Sequence, residues 1–359
     1  MHQSKELRRK IQAHLPLHGA RISFMARFIM AVIVVRGVTL STVASALNPR
    51  VLPESNEKRI KRFFGKVELE GRSVAGLMLA LLPVKDKLVL TLDRTTWELG
   101  SCCVNILLLE AAYKGLAFPL LWVFLDKQGN SDTKERLALL DILLKLVAAE
   151  RIEVIVADRE FTGKAWFQGL KERRLIFVMR VRNNTLIGSK GKTHSAQTRY
   201  GYLDTQEVYI CPKRCFVFGL RLYLAVTKSN EGELVVLACN AQPEKALLRY
   251  SQRWQIETLF SALKSRGFNF EDTHILTSAR LDTRFTGHIK LLALLTIAFA
   301  WAHLVGEWCY AQRPLKLKAH GYLAKSYFRR GLDALRSAIL AGHTPASISL
   351  DQCLKLLSP

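Results

Sequence analysis

Negative charge is scarce in this sequence. Lys and Arg total 53 against 30 Asp and Glu, leaving a net charge of +23 over 359 residues. An excess spread along the whole chain points to a polyanionic partner, nucleic acid first, with ribosomal or membrane-surface binding as other homes for a basic chain. Cysteine pairing is missing too. The 7 cysteines are odd in number and none forms a CxxC. The nearest candidate, Cys211-Pro-Lys-Arg-Cys215, has no second pair at zinc-finger spacing, so most thiols are expected to be small buried hydrophobes of a reducing cytoplasm. The opening "MHQSKELRRKIQAHLPLHG" never develops the apolar run of a secretory signal. The most apolar stretch, "LLALLTIAFAWAHLVG" (291–306), is shorter than a membrane span and contains His303, so it reads as a core helix. Internal repeats and low-complexity tracts are absent as well. What remains is a soluble, cytoplasmic chain without a membrane partner, long enough for more than one domain and a sizeable core.

Among the residues present, "YSQRWQIETLFSALKSRG" (250–267) stands out. It is rich in helix formers and has no Pro or Gly before Gly267, so it predicts one helix. On that helix Tyr250, Arg253, Glu257 and Lys264 share an arc of about 60°. Ile256, Leu259, Phe260 and Leu263 form an adjoining apolar stripe. Two readings follow. Arg253 and Glu257 are an i,i+4 pair and suit a solvated, salt-bridging face. Alternatively Glu257 holds a divalent metal while the cations and the phenol grip a polyanion across it.

The rest of the chain has a clear organisation. Residues 1–72 carry 14 Lys and Arg against 5 Glu, with helical patterns at 21–36, 40–48 and 55–65. A helical module over 1–75 suits either a DNA-end reader of helix-turn-helix type or an ordinary basic bundle. From residue 86 the pattern turns to strands: "KLVLTLD" (87–93), "CVNILLLEAAY" (103–113) and "LAFPLLWVFLD" (116–126) predict an antiparallel meander. A helix follows over 131–150, capped by Ser131 or Asp132. Then come strand 152–158, helix 162–174 and strand 175–181. This order predicts an α/β fold with a ribonuclease-H-like core, split into 86–181 and 246–306. Strands at 207–211, 215–226 and 233–239 make a β-rich insertion over 182–245, and 307–359 is a basic helical C-terminal region carrying Arg313, Lys316, Lys318, Lys325, Arg329, Arg330 and Arg336. Asp93 and Asp158 each close an apolar strand, where carboxylates can meet at a sheet edge.

Tyr250-x2-Arg253-x3-Glu257-x6-Lys264 resembles the signature of the IS4-type bacterial DDE transposases, and Asp93 and Asp158 stand where that family's first two acids belong. The resemblance covers the whole chain. It implies a transposase of an insertion sequence, with Asp93, Asp158 and Glu257 as catalytic ligands of two Mg²⁺ ions, for which Mn²⁺ could substitute. Two such ions, about 4 Å apart, stabilise the attacking and leaving oxygens of a phosphodiester. It further implies phosphate contacts from Tyr250, Arg253 and Lys264, and double-stranded DNA, both transposon ends and target, as partner. It also implies a homodimer on paired ends, mediated by 307–359, and a nucleoid-associated location. A base flipped onto an insertion-domain aromatic is a family trait, for which Tyr200, Tyr202 and Tyr209 are candidates. One departure matters: Asp158-Arg159-Glu160-Phe161 has Glu where the family often has Gly, so Glu160 is a rival acid. A decayed, non-catalytic repressor and a nuclease or junction resolvase of the same fold are the alternatives.

Overall fold

The structure is a computed structural model describing residues 2–357 apart from positions 101, 126, 128, 190, 265–266, 276–283, 315–322 and 342–347. Lys316 and Lys318 of the basic C-terminal stretch therefore lie outside the described residues. The chain opens with α1 (His2–Gln12), α2 (Gly19–Val35), α3 (Leu40–Leu47), α4 (Pro53–Lys66) and α5 (Gly71–Leu81). Helices α2 to α4 match the expected patterns; α1 and α5 were not anticipated. Pro53 starts α4 at a position where its missing N–H costs nothing.

The core follows as β1 (Leu88–Leu99), β2 (Cys102–Tyr113), β3 (Leu116–Leu125), α6 (Thr133–Leu144), β4 (Ile152–Ala157), α7 (Lys164–Glu172) and β5 (Phe177–Val181). Asp132 caps α6 in a reciprocal box with Glu135. The helix ends at Leu144, short of the expected 150, and a single 3₁₀ turn leads into β4. The insertion contributes β6 (Leu186–Ser189), β7 (Lys192–Ser195), α8 (Ala196–Tyr200), β8 (Val208–Ile210), β9 (Cys215–Val217), β10 (Leu220–Lys228) and β11 (Leu234–Cys239). The run 215–226, read as one strand, is a hairpin instead. Phe218 and Gly219 adopt φ of 51° and 75°, the left-handed pair that a two-residue turn requires.

The sheet runs β3-β2-β1-β4-β5-β11-β10-β9-β6-β7, with β8 on β10. Its first five strands are an antiparallel meander followed by two parallel additions, the ribonuclease-H-like order. Because β11 pairs antiparallel with β5, the inserted strands extend the core sheet and do not form a separate layer. Side-chain alternation sorts the two faces. Leu88, Leu90, Leu92, Ile155 and Ala157 join the large core beneath the helices. Val89, Val154, Val156 and Val178 face the other way and are covered by α9 (Ala246–Ser251) through Ala246 and Tyr250.

After α9 come α10 (Gln255–Leu263), α11 (Thr286–Gln312), α12 (Tyr327–Ala341) and α13 (Leu350–Lys355). By length and composition α11 could cross a membrane, yet 89% of its most apolar stretch is buried inside the fold, as a core helix would be. It packs directly on α12. A Cβ on Gly331 would lie 1.6 Å from the carbonyl oxygen of Ala302, so this contact tolerates only glycine. Buried Lys290 on α11 donates to the carbonyls of Phe64 and Val67 at the C-terminal end of α4, a favourable place for a cation. Arg36 at the end of α2 pairs with Asp333 of α12. One continuous cluster of buried side chains thus joins N-terminal helices, sheet and C-terminal helices.

His303 on α11 is buried among Tyr113, Phe118 and Tyr327. Burial first, then the nearby Lys114 charge, lowers its pKa from the ordinary 6.5 to about 3. A base with a depressed folded pKa contributes stability that is present above pH 6.5 and lost as pH falls toward 3. From this residue the unfolding free energy should drop by about 1.4 kcal/mol per pH unit below 6.5. Urea titrations at pH 7 and pH 5 should show that part of the loss disappearing in His303→Leu.

Candidate active site

The parallel pairing of β1 with β4 ends at Leu92↔Ala157. Asp93 and Asp158 are the next residues on the two chains, and alternation places both on the face covered by α9. Asp93 does not end its strand as expected. β1 continues to Leu99 along β2, with Asp93 opposite Leu108, because "RTTWEL" keeps alternating and buries Trp97 and Leu99. Trp97 packs edge-on against Phe270 at 4.5 Å. The two aspartates therefore emerge where one ladder stops and the other goes on. Each spends Oδ1 on the following backbone N–H: Arg94 donates to Asp93 at 2.8 Å, and Arg159 donates to Asp158.

The segment bearing Glu257 is not one helix. Helix α9 stops at Ser251, Gln252–Trp254 form a 3₁₀ turn, and α10 ends at Leu263, leaving Lys264 in a non-helical conformation. The break changes what faces where. Tyr250 and Arg253 are buried, while Glu257 is exposed. Ile256, Leu259 and Leu263 do pack inward as the apolar stripe requires. Anchors fix this segment on the sheet: Arg249 donates to Glu153 at 2.9 Å and to Gln242 at 2.6 Å, and Gln255 accepts the Leu116 N–H of β3 at 3.1 Å.

Arg253 occupies the centre. Its side chain is only 10% exposed; Nη1 reaches Asp93 Oδ2 at 3.3 Å and Nη2 lies 3.9 Å from Glu257 Oε1. The guanidinium also lies over the exposed Trp254 ring at 4.6 Å. It is an internal counter-ion and not part of a solvated face. Lys264 donates to the Thr96 carbonyl at 3.4 Å and sits over Trp97. Burial raises Asp93 from 3.8 to about 6; Arg253 opposes the rise, and the carboxylates of Asp158 and Glu160 add to it. Glu160 itself points onto Arg94, which it accepts at 2.9 and 3.1 Å.

Sequence reasoning missed Glu110. It sits on β2 opposite Thr91, on the same face as Asp93, fully buried, with Oε2 accepting the Thr91 hydroxyl at 3.1 Å. Burial, and then the Asp93 charge, pushes its carboxyl well above the usual range. Polar burial cannot be inferred from "LLLEAAY", where a strand-interior Glu looks like any solvent-facing one.

Among the described residues, no group of three or more His, Cys, Asp or Glu is gathered closely enough to hold a metal ion. Asp93 and Asp158 lie together, and Glu257 stands across Arg253 from Asp93. The donor chemistry nevertheless fits a hard divalent cation. Asp93 is a half-buried carboxylate whose pKa burial raises, and the guanidinium that contacts it also contacts Glu257.

One basic concavity adjoins the turn after Asp158, and a second lies in the N-terminal helices. The first, of about 720 Å³, is lined by Arg159, Glu160, Arg182, Leu186, Phe216 and Gly219. Phe216 is 53% exposed, with the Arg221 guanidinium 5.9 Å above its ring. Of the three tyrosine candidates, Tyr200 is buried and packs on Tyr209 at 5.6 Å, and exposed Tyr202 does not line this cavity. The second, of about 670 Å³, lies between α2 and α4, with Arg21, Arg27, Arg59, Arg62 and Lys66 in its lining and no carboxylate.

Because Arg253 lowers the Asp93 pKa, Arg253→Gln should raise it further above 6, which carboxyl NMR titration of the metal-free protein measures. An unchanged or lower value would show that Arg253 does not govern this carboxylate.

Comparison with known proteins agrees in kind. No curated protein matches the chain. A solved structure that the chain matches is the piggyBac transposase synaptic complex with hairpin DNA, with a TM-score of 0.44 and 12% identity, covering 100% of this chain and 83% of that one. Residues 89–295 match the family described as "Transposase DDE domain". That match takes in more than half of the sequence, including both aspartates, the inserted strands and Glu257, and the chain belongs to the DDE transposases, enzymes of DNA transposition.

Proposed function

We propose that this transposase is of the IS4 type, binds the terminal inverted repeats of an insertion sequence, and cuts and rejoins DNA there. The observation that supports the reading is that Asp93 and Asp158 follow the last pair of the β1–β4 ladder side by side, with Arg253 reaching from Asp93 to the helix-borne Glu257. These three would hold two divalent ions, Mg²⁺ with Mn²⁺ as substitute. When bound, the ions supply charge stabilisation at the attacking and leaving oxygens of the phosphodiester.

The chain's own residues have separate tasks. Arg253 gives up its contacts to Asp93 and Glu257 and turns its guanidinium to a DNA phosphate, where its fork suits two oxygens at once. Lys264, at the mouth of the crevice, adds a second phosphate contact. Tyr250, buried beneath, backs Arg253, whose guanidinium lies 5.9 Å from its ring. Phe216 is the insertion aromatic best placed to stack an extruded base, since its exposed ring lines a basic cavity continuous with the Asp158 turn. The N-terminal residues 1–75 read the DNA end through the groove between α2 and α4, where five cations face an opening without carboxylates. Two subunits act together on paired ends, with 307–359 contributing to the pairing.

Purified protein incubated with end-containing duplex and Mg²⁺ should nick and join strands. Asp93→Asn, Asp158→Asn and Glu257→Gln should each lower cleavage by about a thousandfold or more, as expected when several kcal/mol of charge stabilisation is removed, while DNA binding persists. Binding without scission by the parent protein would instead identify a repressor, and scission without joining a nuclease.

Arg59→Ala combined with Arg62→Ala should weaken duplex binding and flatten the slope of log affinity against log salt by up to about 2, one unit per lost phosphate contact. An unchanged slope in a filter-binding series would remove the groove from the DNA path.

A further inference from the structure

Glu160 is the acid for which the family pattern provides no role, and its surroundings are unusually specific. Arg94 follows Asp93 on β1, so its side chain projects from the opposite face of the sheet. Its Nε donates to Glu160 Oε1 at 2.9 Å and its Nη2 donates to Oε2 at 3.1 Å, a two-pronged ion pair in which both side chains are 19% exposed. The same guanidinium reaches further. Nη1 donates to Asn105 Oδ1 on β2 at 2.6 Å, and Nη2 donates to Asn130 Oδ1 before α6 at 3.3 Å. Asn105 in turn donates to the carbonyls of Lys127 at 2.7 Å and Gly129 at 3.3 Å. One arginine thereby ties together β1, β2, the β3–α6 loop and the turn after β4.

The location gives this network its meaning. Backbone pairing between β1 and β4 stops at Leu92↔Ala157, so no ladder hydrogen bond fixes Asp93 against Asp158. Arg94 is one residue beyond Asp93 and Glu160 two beyond Asp158. Their ion pair is a direct side-chain tie between the two chains past the end of the ladder. It also neutralises a carboxylate whose charge reaches Asp93 and which would otherwise compete for any cation there.

We propose that the Arg94–Glu160 pair is a positioning clamp that sets the spacing of the Asp93 and Asp158 carboxylates and thereby their affinity for a divalent cation. Glu160 does this without being a ligand. The inference rests on the reading of Asp93 and Asp158 as ion-holding residues and extends it to the opposite face of the sheet.

The test uses the full chain with Glu160→Gln, Arg94→Gln, the milder Arg94→Lys, and the charge exchange Arg94→Glu with Glu160→Arg. Asp158→Asn is the reference. Mn²⁺ binding is measured by electron paramagnetic resonance without DNA, thermal melting checks the fold, and end cleavage is followed against Mg²⁺ concentration. Glu160→Gln and Arg94→Gln should bind Mn²⁺ about 10–100-fold more weakly, the usual loss when a group behind a ligand is removed. Their cleavage should recover at high Mg²⁺. Arg94→Lys should fall between these variants and the parent, and the charge exchange should restore part of the affinity. Mn²⁺ affinity equal to the parent's in folded Glu160→Gln would overturn the clamp. So would a loss as complete as that of Asp158→Asn and not relieved by Mg²⁺, because Glu160 would then be a ligand. Parent-like Mn²⁺ binding by Asp158→Asn would overturn the reading of the site itself, and the clamp with it.

Discussion

Two strands part company at Leu92 and Ala157, and the consequences run through the whole molecule. Where a parallel ladder ends inside a sheet, the next side chains enter a crevice walled by backbone on both sides. Asp93 and Asp158 are those side chains. Placing carboxylates there is unfavourable, because water is partly excluded and their charges repel. Burial first, and then the Asp158 and Glu160 charges, raise the Asp93 pKa accordingly. Something positive has to be delivered into the crevice, and the fold delivers Arg253.

That delivery explains the irregular geometry of the following segment. A continuous helix from Tyr250 would lay its polar residues along the surface. The 3₁₀ turn at Gln252–Trp254 instead drops Arg253 inward while Glu257 stays at the rim. Helix α9 is held down by Arg249 and by Tyr250 within the small core on that face, and α10 by Gln255 against β3. Long inserted strands between β5 and α9 do not disturb the site, since β11 pairs back onto β5 and extends the same sheet. The insertion instead brings exposed Phe216 and Arg182 to the turn that follows Asp158.

The two faces of the sheet divide the electrostatics. Asp93, Asp158, buried Glu110 and Arg253 belong to the face under α9, whereas Arg94, Glu160 and Asn105 belong to the other. Adjacent residues on one strand therefore serve opposite sides of one centre. Within a net charge of +23, cations cluster in the groove between α2 and α4 and beside Phe216.

Much of this was legible in the residues themselves. The strand order, the helix after β3 and the positions of Asp93 and Asp158 followed from alternation and periodicity, which are local properties written directly in side-chain polarity. The capping of α6 by Asp132 and the burial of 291–306 followed in the same way. Other features had no local signature. The break at Gln252–Trp254 accompanies the contact of Arg253 with Asp93, 160 positions away. The buried Glu110 and the Arg94–Glu160 pair depend on partners from other segments. Sequence alone placed Asp93 on one strand and Asp158 just past its neighbour, because alternation and hydrophobic burial act over a few residues. Which cation meets them, and on which face each neighbour works, was decided only when the chain closed on itself, because charge pairing acts through space and not along the backbone.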